Sequence, residues 1–310
     1  MSILFLEPIL KDTIWGGVRL REFGYDLKSD HVGECWGISA HPNGDCTVAL
    51  GEYKGVKLST MWSEHRELFD NVEGDCFPLL TKIIAAEKDL SIQVHPDNEY
   101  AFANEDGSLG KMECWYVLDA DEGANIIVGH NAGNREELCS MIDNHRFDEL
   151  IREVPVKKGD FFQINPGTVH AIKGGTVILE TQQSSDITYR LYDYDRFENG
   201  TLRELHLDKS KDVIVSPYEA PELHVGGKQP TGNSDFDELV NTEYYTVWKV
   251  EVKDSLTVNQ DQHFMIVSVV EGAGEVDGVE ISKGSHFIIC KDAGEVTFKG
   301  DMTLIVSSVR

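Results

Sequence analysis

A short alternating stretch in the first third of the chain carries three polar side chains on one face. In residues 90–97, LSIQVHPD, apolar residues alternate with Ser91, Gln93 and His95. This period of two is typical of a β-strand whose two faces differ. A hydroxyl, an amide and an imidazole on one face could together bind a polar ligand or a metal ion.

Two further stretches carry side chains that could complete a metal site. GKMECWYVL places Glu113 at the start of a predicted strand, with Lys111 two residues earlier on the same face, and NPGTVHAI places His170 just after a Pro-Gly turn. Two neutral imidazoles and a carboxylate suit zinc or a related divalent ion and leave a position for substrate, while Gln93 could fill a further site. A histidine on a strand is more often a surface or hydrogen-bonded core residue, so this dispersed spacing alone only suggests the site.

Cationic side chains occur in two predicted strands at positions that neither core packing nor surface solubility explains. Lys82 interrupts the apolar run FPLLTKII, and a buried cation usually has an anionic partner. In residues 180–196, ETQQSSDITYRLYDYDR, an unbroken strand would put Glu180 and Arg190 on one face, although a solvated edge strand would look the same. Lys82, Lys111 and Arg190 could together hold a phosphate or a developing oxyanion.

The elements that must position these residues are mainly strands. Runs such as CWYVLDA, NIIVGH, TVILETQQ, VWKVEV and FMIVSVV are separated by short Gly-containing turns, which favours antiparallel barrels or sandwiches. Helices are predicted at residues 58–69 and 134–152, and the proline-rich residues 208–230 are predicted to form a connecting loop.

A faint internal repeat indicates that the β unit is duplicated. VKKGDFFQINPGTVHAI resembles ISKGSHFIICKDAGEVTF, and alignment of their Lys-Gly turns puts His170 opposite Glu295. We therefore predict a mainly β fold of two tandem jelly-roll barrels with a few short helices. Residues 1–215 would form a catalytic domain with the metal site, and residues 216–310 a degenerate second domain without it.

Composition limits the function classes that remain. The 310 residues carry a formal charge of −26, which disfavours binding to nucleic acid or an anionic membrane surface. The N-terminus does not match a signal peptide, no stretch approaches a transmembrane helix, and six scattered cysteines suggest reduced thiols. The sequence predicts a cytoplasmic protein and leaves its oligomeric state open.

Six motifs in the first two-thirds of the chain resemble those of type I mannose-6-phosphate isomerases of the short bacterial form. They are WGG, GECWGISAHPNG, FPLLTKIIAAEKDLSIQVHPD, GKMECWYVLDA, INPGTVHAI and ETQQSSDITYRLYDYDR. The resemblance implies a cupin fold and one zinc ion per chain, with metal ligands at four positions: Gln93, His95, Glu113 and His170.

The resemblance also implies roles for the remaining polar residues. The family's active-site arginine falls on Arg190 and the lysine before its metal-binding glutamate on Lys111, while Ser91 and Lys82 match polar positions near the substrate site. The implied reaction converts mannose 6-phosphate into fructose 6-phosphate through an enediol. Glu180 is a candidate for the proton carrier, although the motif does not settle that it is the base.

Two other readings remain open at this stage. The chain could be a sugar-phosphate-binding cupin without turnover whose metal is structural, or a cupin oxidoreductase or decarboxylase that uses manganese or iron. Redox cupins usually show three histidines and a carboxylate, so Gln93 in place of one histidine fits non-redox zinc better. Lys111 and Arg190 favour catalysis over binding alone.

Overall fold

The computed structural model describes residues 2–198, 200–222 and 236–310. Most of this part of the chain forms strands, as its alternating apolar pattern predicts. In chain order the strands are β1 Ile3–Glu7, β2 Ile9–Gly17, β3 Val32–Ile38, β4 Ala40–His41, β5 Gly44–Asp45, β6 Thr47–Val48, β7 Leu79–Ala86, β8 Ile92–Val94, β9 Glu113–Ala120, β10 Asn125–His130, β11 Ile151–Pro155, β12 Phe161–Ile164, β13 His170–Ala171, β14 Thr176–Gln183, β15 Tyr189–Tyr192, β16 Phe197–Glu198, β17 Thr201–Leu202, β18 Phe236–Asn241, β19 Tyr245–Val252, β20 Ser255–Asn259, β21 Met265–Val276, β22 Val279–Ser282, β23 His286–Ile289 and β24 Glu295–Val309.

The helices are short and lie between the strands. They are α1 Leu58–Glu64, α2 Asn98–Asn104, α3 Arg135–Asp143, α4 Phe147–Leu150 and α5 Leu207–Val213, with 3-10 turns at Arg19–Phe23, Arg66–Phe69 and Lys291–Ala293. Across residues 2–198, 200–222 and 236–310, none of the helices combines the length and the hydropathy needed to cross a membrane.

Two antiparallel sheets form the unit that carries the predicted site. One has six strands in the order β12-β9-β14-β7-β3-β2, and the other has five in the order β11-β10-β13-β8-β15. They share a hydrophobic cluster, to which Trp115 and Ile178 contribute from the first sheet and Ile126 and Val128 from the second. The strands β7 and β14 are buried along their whole length, including polar residues such as Lys82, Glu180 and Gln182 that interrupt their apolar sequences.

The last third of the chain forms the second β unit, and its interior is apolar. Its nine-stranded sheet runs β18-β19-β24-β21-β23-β1-β6, with β20 on β24 and β22 on β21. The repeated Lys-Gly turns fall at Gly159 and Gly284, which have φ of 90° and 91° and stand between successive strands in both units. The prediction of a mainly β chain with two tandem jelly-roll units is confirmed.

The first strand of the chain lies in the sheet of the second unit. β1 pairs with β23 from Ile3 opposite Ile289 to Phe5 opposite Phe287, and with β6 on its other side. The division into residues 1–215 and 216–310 stays a prediction, and β1 crosses it.

Two predicted elements were wrong in detail. Residues 134–152 form two helices and part of a strand, because the chain leaves the helix at Asn144 and His145 takes a positive φ of 53°. The predicted loop at 208–230 begins with helix α5, whose Ser210 is fully buried. Residues 223–230 of that predicted loop lie outside the described residues.

Candidate active site

Three neighbouring strands of the five-stranded sheet place the predicted polar residues side by side. In the register of β13 and β8, His170 lies opposite Gln93, and in the register of β8 and β15, Arg190 lies opposite Gln93. His95 follows directly after β8, whose apolar Ile92 and Val94 are buried. The alternation of LSIQVHPD therefore gives one face to the core and one to the site.

The six-stranded sheet supplies the acidic and basic residues. Glu113 begins β9 opposite Gln182, and Glu180 on β14 lies between Trp115 on β9 and Lys82 on β7. All of these strands are antiparallel, so one cross-section of the sheet holds a lysine, a glutamate and a tryptophan in a row.

His95, Glu113 and His170 meet between the two sheets. One ligand atom from each lies within 4.8 Å of the others. Nε2 of His95 is 3.2 Å from Nε2 of His170, and each is 3.4 Å from an oxygen of Glu113. All three residues are at most 1% exposed. These three residues, dispersed in the sequence, therefore lie together and could hold a metal ion.

Both imidazoles direct Nε2, the atom that would bind a cation, into this group. Nδ1 of His95 lies 2.7 Å from the carbonyl oxygen of Ile187, and Nδ1 of His170 lies 2.9 Å from that of Thr168. A carbonyl oxygen only accepts, so each Nδ1 carries the hydrogen and each neutral ring presents a lone pair on Nε2. Burial, with the nearby Lys111 charge, lowers the pKa of His95 to about 3. Burial also lowers the pKa of His170.

The donor set at this point fits a divalent metal ion. Two Nε2 lone pairs and a carboxylate converge in a space closed to solvent, and neutral imidazole with carboxylate is a common zinc ligand set. Burial opposes ionisation of Glu113, but the Lys111 ammonium group outweighs it and holds the pKa of Glu113 well below its ordinary value. The carboxylate is therefore charged, as a metal ligand must be.

Gln93 adjoins the group but differs from the other three residues. Its amide nitrogen lies 3.2 Å from Nε2 of His170, while its amide oxygen accepts a hydrogen bond from Oγ of Ser91 at 3.3 Å. The predicted ligand atom of Gln93, its oxygen, therefore faces Ser91 here.

Lys111, Lys82 and Glu180 form a buried charge cluster beside the two histidines. Nζ of Lys111 is 2.7 Å from Oε2 of Glu113 and 3.4 Å from Oε1 of Glu180, and Nζ of Lys82 is 3.2 Å from the same oxygen of Glu180. Burial and the Glu113 carboxylate raise the pKa of Glu180. Burial alone would lower the pKa of Lys82, but Glu180 and Glu34 together raise it above the ordinary value.

Two residues of this cluster were missed by the sequence analysis. Nε1 of Trp115 lies 3.1 Å from oxygens of both Glu113 and Glu180. Glu34 accepts from Nε1 of Trp36 at 2.6 Å and lies 3.9 Å from Nζ of Lys82. Trp115 stands two residues after Glu113, so the same alternation that selected Glu113 could have placed the indole on its face.

Arg190 lies in the other sheet from Glu180, which corrects the prediction of one unbroken strand. β14 ends at Gln183, and β15 begins only at Tyr189 after an irregular stretch. That Lys82, Lys111 and Arg190 together hold a phosphate or a developing oxyanion stays a prediction. Nε of Arg190 is buried without a hydrogen-bond partner, and burial together with Arg203 lowers the pKa of Arg190.

Two family models match this chain at its two ends. The model for the catalytic domain of type I phosphomannose isomerase matches residues 3–118. The model for the cupin domain of mannose-6-phosphate isomerase matches residues 236–309, which confirms the cupin type of the predicted fold.

Two named bacterial relatives and one crystal structure match the chain over almost its whole length. Mannose-6-phosphate isomerase ManA of Bacillus subtilis is 48% identical over 98% of both chains. Mannose-6-phosphate isomerase of Streptococcus mutans is 48% identical over 98% of this chain and 97% of its own. The crystal structure of the mannose 6-phosphate isomerase from Bacillus subtilis superposes with a TM-score of 0.95 at 45% identity and covers 99% of both chains. The chain belongs to the type I phosphomannose isomerase family.

Proposed function

We propose that this protein interconverts mannose 6-phosphate and fructose 6-phosphate in the presence of a bound zinc ion. The observation that carries the proposal is the buried group of His95, Glu113 and His170, with both Nε2 atoms directed at one carboxylate. Full-length relatives at 48% identity bear the name of this isomerase, which supports the choice of substrate.

His95, Glu113 and His170 would hold the metal, and Gln93 would complete the set. A bound zinc ion supplies Lewis acidity toward a substrate oxygen without redox chemistry. The Nδ1 hydrogen bonds of both histidines fix the ring orientation, so these ligands need little reorganisation on binding. Two histidines and a glutamine favour zinc over the manganese or iron of the redox cupins.

Lys111 is the residue that we assign to the substrate oxygens. From mannose 6-phosphate to fructose 6-phosphate, one proton moves from C2 to C1 and another moves from the oxygen on C2 to the oxygen on C1. Nζ of Lys111 lies 2.7 Å from Oε2 of Glu113 and 3.3 Å from Nε2 of His95, so a substrate oxygen beside these two residues would be within its reach. Its ammonium group can donate to that oxygen and stabilise negative charge on it.

Glu180 supports this lysine in the proposal. It is 2% exposed, one oxygen faces the two ammonium groups of Lys82 and Lys111, and the other accepts from Trp115. These contacts favour a role in orienting Lys111, and the role of Glu180 as proton carrier stays a prediction. Arg190 would stabilise the charge that develops during enolisation, because its guanidinium has an unpartnered Nε and lies opposite Gln93.

Ser91 and Lys82 are the remaining residues of the proposed substrate site. Ser91 orients Gln93 through its hydroxyl group, and Lys82 contributes positive charge near Glu180. Local positive charge is needed because an anionic sugar phosphate must approach a chain with a formal charge of −26.

A coupled assay for fructose 6-phosphate, run on the purified protein before and after chelation, tests the proposal. We expect turnover of mannose 6-phosphate, its loss after chelation, and its return when zinc is added back. Binding of mannose 6-phosphate without turnover by the zinc-loaded protein would instead support the sugar-phosphate-binding protein with a structural metal.

A further inference from the structure

Two side chains add to the backbone hydrogen bonds that hold the segment carrying Lys111. Residues 110–112 lie just before β9 and belong to no strand, but the N–H of Lys111 donates to the carbonyl oxygen of Pro96 and the carbonyl oxygen of Met112 accepts from the N–H of Gln183, both at 3.0 Å. The N–H of Gly110 donates to Oδ1 of Asn98 at 2.8 Å, and the N–H of Met112 donates to Oε1 of Gln183 at 2.9 Å. Because buried N–H groups need partners, these two amides fix the backbone on both sides of the lysine.

The two side chains are joined to each other and to the second β unit. Nε2 of Gln183 donates to Oδ1 of Asn98 at 3.1 Å, and Nδ2 of Asn98 donates to Oη of Tyr244 at 3.1 Å. Tyr244 stands just before β19 in the last third of the chain. We call Asn98, Gln183 and Tyr244 the amide relay. It links the second unit, through side chains alone, to the segment at the metal site.

The amide relay lies where the segment that carries Lys111 packs against the segment that follows His95. A Cβ at Gly110 would lie 2.3 Å from the carbonyl carbon of Asp97 and 2.5 Å from the nitrogen of Asn98. Only glycine permits this approach. Since Asn98 stands three residues after His95 and also begins α2, the relay fixes the lysine segment against the stretch that carries a metal ligand.

We propose that Asn98 is a positioning residue for Lys111, and that Gln183 and Tyr244 hold Asn98 in place. The inference rests on the proposed function, because Lys111 acts there on the substrate oxygens. Nζ of Lys111 has to stay within contact of Glu113 and Glu180, at 2.7 and 3.4 Å. A shift of the backbone at residues 110–112 would move that ammonium group away from the reacting atoms.

The first experiment separates turnover from binding in Asn98→Ala. We expect kcat to fall by about ten- to a hundredfold, the scale expected for a misplacement of around 1 Å, while KM and metal content stay near wild type. Asn98→Asp keeps an acceptor for the N–H of Gly110, so it should recover most of the loss. Asn131→Ala is the matched control, since the Asn131 amide also bonds two backbone groups, Glu149 O and Ile151 O, away from the site.

A double-mutant cycle with Lys111→Ala decides whether the effect passes through the lysine. If it does, Asn98→Ala should cost little further activity in the Lys111→Ala background. Fully multiplicative losses, or wild-type kcat in folded Asn98→Ala, would overturn the proposal. If Asn98→Ala does not fold, Tyr244→Phe takes its place, because it removes one hydroxyl group only. We expect a fewfold loss of kcat that disappears in the Lys111→Ala background. An unchanged kcat in Tyr244→Phe would overturn the role of Tyr244.

Hydrogen exchange measures the backbone order of residues 110–112 independently of isomerase activity. Amides of residues 110–112 should exchange faster in Asn98→Ala than in wild type and in Asn131→Ala. Unchanged exchange there would contradict the relay even if the enzyme is active. Absence of isomerase activity in the wild-type protein, with exchange altered as expected, would instead remove the proposed function and leave the contact network intact.

Discussion

At the scale of single residues, the two histidines of the metal group should each be indispensable for metal binding. We expect His95→Ala or His170→Ala to lower bound metal well below one ion per chain and to abolish turnover, because each supplies a buried Nε2 atom. Loss of an ion that binds only the folded state should also lower Tm. Elemental analysis and thermal melts measure both effects. His31→Ala, an exposed position, is the control, and full metal in both site variants would disprove the assignment.

Arg190 should affect the reaction and leave the metal in place. Arg190→Ala is expected to keep the fold and the metal content and to lose about a hundredfold or more in kcat, as for removal of a preorganised donor. Arg190→Lys should rescue poorly, because an ammonium group lacks the planar fork of the guanidinium. Steady-state kinetics with metal analysis test this expectation. A change confined to KM would reassign Arg190 to substrate binding, and rates near wild type would remove it from the site.

At the scale of elements, the sequence predicts strands well and their partners poorly. Alternation in LSIQVHPD and the apolar run in TVILETQQ identify β8 and β14, since burial of one or both faces sets the period. The break between β14 and β15 was missed, because an alternating run of polar residues has the same pattern in one long strand as in two strands of different sheets. The meeting of His95, Glu113 and His170 depends on pairings between distant strands, so only the family resemblance could foresee it.

His286 on β23 should contribute to the stability of the folded chain. The repeat predicts no metal at His286, but the residue is buried, lies 2.9 Å from both Oγ of Ser268 and Oη of Tyr25, and packs against Gly37. Burial lowers its pKa to about 4, so the folded state keeps it neutral while the unfolded chain protonates it near pH 6.5. The free energy of unfolding should therefore fall as the pH drops from 6.5 toward 4.

His286→Gln should flatten that pH dependence without loss of metal at neutral pH. Urea unfolding at several pH values, with elemental analysis at pH 7, measures both quantities. His263→Gln is the control, because His263 is half exposed beside Asp70 and lies in a different environment. An equally steep pH dependence in His286→Gln would show that other groups cause the slope.

At the scale of the whole molecule, the first strand ties the two units together. Leu4 and Leu6 are buried in the cluster that joins both units, while Ile3 and Phe5 pack against the core of the second. Deletion of residues 1–7 should cost several kcal/mol, since each fully buried leucine contributes about 1.5–3 kcal/mol. We expect a lower urea midpoint or insoluble protein. A point-substituted control, Glu7→Ala at an exposed position, should be near wild type, and an unchanged midpoint in the deletion would contradict this role.

The pairing of Ile3 with Ile289 also sets the order in which the molecule can be completed. On the ribosome the first strand emerges long before β23 has been synthesised. Its apolar side chains therefore cannot pack against β23 until nearly the whole chain has been made. Contacts so distant in sequence form slowly, because the loop that they close is long. The same arrangement makes the strand separable: a synthetic peptide of the first residues, added to a chain that lacks them, should insert beside β23 and restore the lost urea midpoint.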